Sequence, residues 1–222
     1  MSVKLRLKYS KTGRAKYISH LDLAVTMHRA LLRAETDLKY SEGFNPHPYI
    51  SVALPLKVGD ESVCELLDFA VAAGFMPPEG FLSALNKALP EGIKAHEIYP
   101  SARKFAQISW LSITGYLFYA QTNPRFADEL KERFSADEII ISKKTKSGMS
   151  EINIAAHMKD IEFHAGDDGK TIKMNAKISA QNPSINPENI ISSLNAQYEK
   201  LMPEFYTFTR TQLFDVDFSP FY

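Results

Sequence analysis

Two histidines stand where side-chain chemistry is possible. His20 follows Ser19 at the start of a helical pattern, and His47 lies between two prolines in the run Tyr40-Ser41-Glu42-Gly43-Phe44-Asn45-Pro46-His47-Pro48. An imidazole fixed by flanking prolines keeps a donor or acceptor in one place, which suits recognition of a phosphate, a base or a carboxylate. Lys16, Tyr17 and Tyr40 lie beside these positions. Metal-independent cleavage of RNA through the 2′-hydroxyl, with His20 or His47 as general acid or base and Lys16, Tyr17 or Tyr40 stabilising charge, is a reading that rests on analogy of fold class. Without proton transfer the set fits RNA binding, with cations holding phosphates and the Phe44, Asn45 and His47 loop contacting a base. Plainer readings stand beside both: local hydrogen bonding for the histidines, and turn formation for Asn45 before proline.

Cations gather in the same stretch. Residues 1–33 hold eight Lys and Arg against Asp22 alone, a local charge of +7 that the remaining chain balances to zero. Lys11 and Lys16 belong to the first loop. Asp22, Thr26, Arg29 and Arg33 fall on one stripe of the following helix, so Arg29 and Arg33 point the same way. These residues are expected to form one cationic docking ledge beside the proline-bounded loop. Arg210 sits apart, on the apolar side of the closing strand with Phe208 and Phe214, where an arginine is costly unless it holds an anion or a buried carboxylate.

The elements that must position these groups follow from periodicity. Val3, Leu5, Leu7 and Tyr9 alternate with Lys4, Arg6 and Lys8, predicting a strand with a buried face and a cationic face. Ser19 followed by Asp22 resembles a capping box and opens a helix over residues 21–34, its apolar stripe being Ala24, Met27, Leu31 and Ala34, widened by Leu21, Val25 and Leu32. Strands over 49–54 and 63–72, a helix opened by Pro77-Pro78-Glu79 and a strand over 93–99 complete a β-α-β-β-α-β order, the ferredoxin-like arrangement. Strand-like 108–119, helical 124–134, a strand over 138–144, a hairpin over 161–178, a helix capped by Asn186-Pro187 and a closing strand over 205–218 repeat it, with 152–158 as an insertion. The expected architecture is α+β, two ferredoxin-like units in tandem with antiparallel sheets, spanning 1–102 and 103–222.

Composition removes other chemistries. With 222 residues, 45% hydrophobic and 23% charged, the chain is ordinary for a globular protein. Its single cysteine, Cys64, excludes an internal disulfide, a multi-cysteine zinc site and an iron–sulfur cluster held by this chain alone. The six histidines show no metal-ligand spacing, and phosphate-loop, dinucleotide, zinc-helix and nucleophile-elbow motifs are missing. No cofactor, no metal and no resident catalytic residue are therefore assigned. No apolar run approaches the roughly 20 residues of a membrane span, and the start of the chain lacks a secretory pattern, so a cytoplasmic location is expected.

Three stretches carry a family resemblance: Tyr9-Ser10-Lys11-Thr12-Gly13-Arg14-Ala15-Lys16-Tyr17-Ile18-Ser19-His20-Leu21-Asp22, then Arg29-Ala30 and Arg33-Ala34, then Tyr40 to Pro48. With Ser51, Pro55-Leu56, Gly59 and the 61–65 region, the segment 3–68 resembles the bacterial radical-SAM-linked protein family; the rest matches in layout and at Arg210-Thr211. Members of that family occur alone or fused behind a radical-SAM module with a cobalamin-binding-like segment. Their genes often lie near those for ribonuclease G and ribosomal proteins. The resemblance implies a radical-SAM enzyme as partner in trans, holding the cluster this chain cannot. It also implies an accessory role toward RNA, with a plain protein-interaction adaptor as a further reading.

Overall fold

The structure, a computed structural model, describes residues 2–123, 125–145, 148–194 and 196–222. It divides into two compact units, one ending at Gln107 and joined by Tyr222, the other running from Ile108 to Phe221. Among the described residues it is a mixed α+β protein with four α-helices and mostly antiparallel sheet. No helix among them is long and apolar enough to cross a membrane.

The first unit contains β1 (Ser2–Lys11), α1 (His20–Arg33), β2 (Ile50–Val52), β3 (Glu61–Ala72), α2 (Phe81–Ala88) and β4 (Ile93–Pro100). Its strands lie in the order β4-β1-β3-β2, every neighbouring pair antiparallel. The alternation in β1 sends Leu5, Leu7 and Tyr9 into a core shared with Leu67, Phe69 and Val71 of β3, Met27 and Leu31 of α1, and Phe81 and Leu85 of α2. The expected stripe of α1 is rotated. Leu23, Met27, Ala30, Leu31 and Ala34 are buried, whereas Leu21, Val25 and Leu32 are 76%, 47% and 45% exposed. The helix packs against α2 as well as the sheet, and Leu21, Val25 and Leu32 face outward.

The cationic face expected of β1 is neutralised at its centre. Arg6 faces Asp68 directly across the ladder to β3, so its planar fork meets the carboxylate with Nε at 2.7 Å from Oδ1 and Nη2 at 3.0 Å from Oδ2. Nη2 also donates to the Arg103 carbonyl at 2.6 Å, and the Phe105 ring lies 4.4 Å from the guanidinium. Arg6 is completely buried. Residues 101–105 thus close over this pair, which is why the first unit extends to Gln107 and beyond the expected boundary at residue 102.

Gly92 fixes the entry to the loop after β1. Its carbonyl accepts from the Thr12 N–H at 2.8 Å, its φ is +86°, and a Cβ there would run into the Thr12 carbonyl oxygen and stand 2.8 Å from the Ala15 Cβ. Gly92→Ala is expected to lower stability by about 2–3 kcal/mol, combining left-handed strain with a backbone contact that must yield. Urea unfolding of the purified variant checks the value.

The second unit contains β5 (Trp110–Phe118), α3 (Phe126–Phe134), β6 (Ile140–Thr145), β7 (Gly148–Asn153), β8 (Met158–Ala165), β9 (Thr171–Ser179), α4 (Pro187–Ser192) and β10 (Phe205–Phe214). Its sheet has the order β10-β5-β9-β8, again antiparallel throughout. The strand expected over 138–144 forms, but it pairs with β7 in a separate hairpin. Asn153 closes that hairpin, its Oδ1 accepting from the N–H groups of Ile139 at 2.9 Å and Ala155 at 3.0 Å. The closing strand stops at Phe214, short of 218, because Asp215 Oδ1 accepts from the Asp217 and Ser219 N–H groups and turns the chain. The helix expected from Pro124 begins at Phe126; Pro124 lies outside the described residues.

Candidate functional site

The first turn of α1 is built as its sequence suggests. Ser19 Oγ accepts from the Asp22 N–H at 3.2 Å and donates to Asp22 Oδ2 at 2.7 Å, capping the helix and placing His20 at its first position. His20 and Tyr17 are exposed. Lys16 Nζ lies 3.5 Å from Glu61 Oε1 and 5.5 Å from the Tyr17 ring centroid, so its charge is largely balanced.

Lys11 departs from its expected role. It is 1% exposed, and its Nζ donates to the carbonyls of Ile18 at 2.8 Å and Lys16 at 3.3 Å. Burial holds its pKa below the usual lysine range, opposed by the nearby Glu65 and Asp60 carboxylates. Lys11 therefore ties the 12–18 segment down from inside and offers no surface charge to a ligand.

The 40–48 loop is shaped from its base. Tyr40 and Pro48 form an isolated bridge. The Ser41 N–H donates to the His47 carbonyl at 2.8 Å, and the His47 N–H donates to Ser41 Oγ at 2.9 Å. Gly43 takes φ +119° at the turn, and Phe44 at the tip is fully exposed, with Asn45 and His47 exposed beside it. Tyr40 is held elsewhere: its hydroxyl lies 2.8 Å from His28 Nε2 on α1, and the two rings meet edge to face. His28 lies eight residues after His20, ~12 Å of helix rise, so Tyr40 anchors the loop midway along α1, away from His20. Neither the His20 nor the His47 ring makes a hydrogen bond among the described residues. Tyr40→Phe is expected to cost about 1 kcal/mol, read as a lowered unfolding midpoint.

Arg29 and Arg33 share one face of α1. One turn apart and exposed, they line a groove of about 290 Å³ with Thr26, Ala88, Leu89 and Pro90. Neither has a carboxylate within ion-pair reach among the described residues. The end of α2 walls the groove, a contribution from sixty residues downstream that no local pattern announces. Arg210 lies half-buried on β10 of the second unit, opposite Ile113, so it belongs to a different unit from the other ten candidates.

Charge is less uneven than the opening segment suggests. The first unit carries 14 Lys and Arg against 11 Asp and Glu, a net +3, and the second carries the balancing −3. Pairing within the first unit absorbs Arg6, Lys8 and Lys16 through Asp68, Glu97 and Glu61. Among the described residues no group of three or more His, Cys, Asp or Glu is arranged to hold a metal, and Cys64 is buried.

Comparison with known proteins adds one clear result. No curated protein matches the chain. Among solved structures, a heme-bound DypB variant from Rhodococcus jostii aligns over 95% of this chain and 93% of its own, at 11% identity and a TM-score of 0.23, too slight a likeness to imply a shared fold. A family model described as an uncharacterized protein conserved in bacteria, DUF2344, matches residues 4–198, covering every candidate except Arg210, and the chain belongs to that family.

Proposed function

We propose that this protein is a non-catalytic RNA-binding accessory subunit that presents RNA to a radical-SAM modifying enzyme supplied in trans. The observation that carries the reading is the pair Arg29 and Arg33, exposed, uncompensated and aimed along one groove. Guanidinium pairs one turn apart suit successive phosphates of a single strand, and the exposed Tyr17 and Phe44 rings suit stacking of unpaired bases. Only the centre of the first sheet's open face is closed to a base, where Arg6, Asp68 and Phe105 meet; the part of that face around Ala70 stays open. The radical-SAM partner rests on the resemblance over residues 3–68, and a cytoplasmic setting accompanies it. Both units are read as ferredoxin-like: each has its first strand between its last and its third main-sheet strand, once the β6–β7 hairpin is set aside.

A salt titration of single-stranded RNA binding tests the reading. Two phosphate contacts predict a slope of about −1.4 in log K against log salt, and an absence of binding at low salt refutes it.

One observation favours an adaptor without nucleic acid. Leu21, Val25 and Leu32 form an exposed apolar stripe on α1, the spacing by which one helix seats against another. Pull-down from lysate with and without ribonuclease separates the two: capture that survives digestion and the loss of Arg29 and Arg33 supports the adaptor.

A further inference from the structure

A second cleft lies on the face of the first sheet away from the helices, beside the Arg6–Asp68 pair. Its floor is Ala70 of β3. Lys4 of β1 faces Ala70 directly across the ladder. On the other side the Lys39 N–H donates to the Ala70 carbonyl at 2.9 Å, the Ala70 N–H donates to the Tyr49 carbonyl at 3.0 Å, and the Tyr49 N–H donates back to the Lys39 carbonyl at 3.0 Å. Directly opposed residues share a sheet face. A methyl group therefore stands where its neighbours carry long side chains, leaving a hollow of about 430 Å³, within the range of small-ligand sites.

The lining chemistry is specific. Lys4 and Lys39 both line the hollow, and neither has an ion-pair partner among the described residues. The one carboxylate present, Asp68, is consumed by Arg6 and by the Ser101 hydroxyl at 2.9 Å. Two ammonium groups on one small cleft repel each other unless an anion sits between them. Tyr49, 53% exposed, offers a ring for stacking, and Ser2 and Ser51 offer hydroxyls. We propose that this cleft binds a single nucleotide, its phosphate between Lys4 and Lys39 and its base on Tyr49. The proposal stands on the cleft alone. A free mononucleotide and one nucleotide of a bound strand share this chemistry, and the experiment separates them.

The full chain is titrated with adenosine monophosphate, inorganic phosphate and a short single-stranded RNA while backbone amide resonances are followed. The expected result is saturable shifts at Ile50, Ser51 and Ala70 with the mononucleotide, at least about tenfold tighter than with phosphate. Ala70→Met, which fills the hollow from an open face, and Lys4→Ala with Lys39→Ala each weaken binding by about tenfold or more. Shifts produced by RNA alone and abolished by Ala70→Met support the cleft as a subsite for a strand nucleotide. No response of these amides to either nucleotide source at millimolar concentration overturns the proposal, as does an equal response to phosphate. Shifts that persist in a folded Ala70→Met protein overturn it as well. Loss of RNA binding with mononucleotide binding intact would count against the accessory-subunit reading and leave this one standing.

Discussion

Asp68→Ala is expected to destabilise the protein by about 3–5 kcal/mol, the largest effect of any single substitution considered for the first unit. The reason lies in what remains. Arg6 has no exposure to water, and removing the carboxylate leaves a buried guanidinium whose Nε has lost its partner at 2.7 Å. The Arg103 carbonyl and Ser101 hydroxyl still accept from Nη2 and the Tyr222 oxygen from Nη1 at 3.5 Å, but none of them replaces the two-point contact with the carboxylate. Pairing Asp68→Ala with Arg6→Met should recover most of the loss, because a well-packed apolar replacement removes the desolvation penalty together with the attraction. Urea unfolding of both variants measures this. A cost below about 1 kcal/mol for Asp68→Ala would mean that water reaches the pair, and that residues 101–105 do not close over it.

Arg29→Glu combined with Arg33→Glu carries the second large effect, on binding. The double reversal replaces two uncompensated cations by two anions at the mouth of one groove. RNA affinity at low salt should fall at least about 100-fold, and the salt slope should shrink by about 1.4. Stability should move by less than about 0.5 kcal/mol, since both side chains are exposed and unpaired. Lys16→Glu makes the internal comparison. Its cation already lies 3.5 Å from Glu61, so its reversal should weaken RNA binding far less. Anisotropy titrations of the three proteins under identical salt decide the ranking.

Legibility in the sequence followed interaction range. The Ser19 cap, the start of α1 and the buried alternation of Leu5, Leu7 and Tyr9 were readable because each depends on neighbours within a turn or a strand pair. The division of charge was not. Lys4, Arg6 and Lys8 look alike in sequence, yet Arg6 meets a carboxylate 62 residues away and, alone of the three, disappears from the surface. Lys11 looks like one more loop cation, and only the fold shows its Nζ turned inward onto two carbonyls.

The phase of α1 was misjudged for a related reason. Its periodicity admits two overlapping apolar stripes, and packing buries the one through Leu23 and Ala30. His28 escaped notice because its partner Tyr40 is twelve residues on, beyond any helical spacing. Lys39, Tyr49 and Ala70 gave no signal at all, since a hollow made by a short side chain between longer ones exists only once strands are in register. The loop from Tyr40 to Pro48 was readable as a shaped loop from its prolines and glycine, while its anchoring by Ser41 and His47 was not.

RNA bound as proposed lies along α1 and the loop beside it. Photocrosslinking of a 4-thiouridine-containing single strand to the full chain, followed by peptide sequencing, tests it most directly. Adducts are expected at Tyr17 and Phe44, lost when Arg29 and Arg33 are both reversed. Adducts confined to the second unit, or adducts at these two rings that survive the reversal, would contradict it.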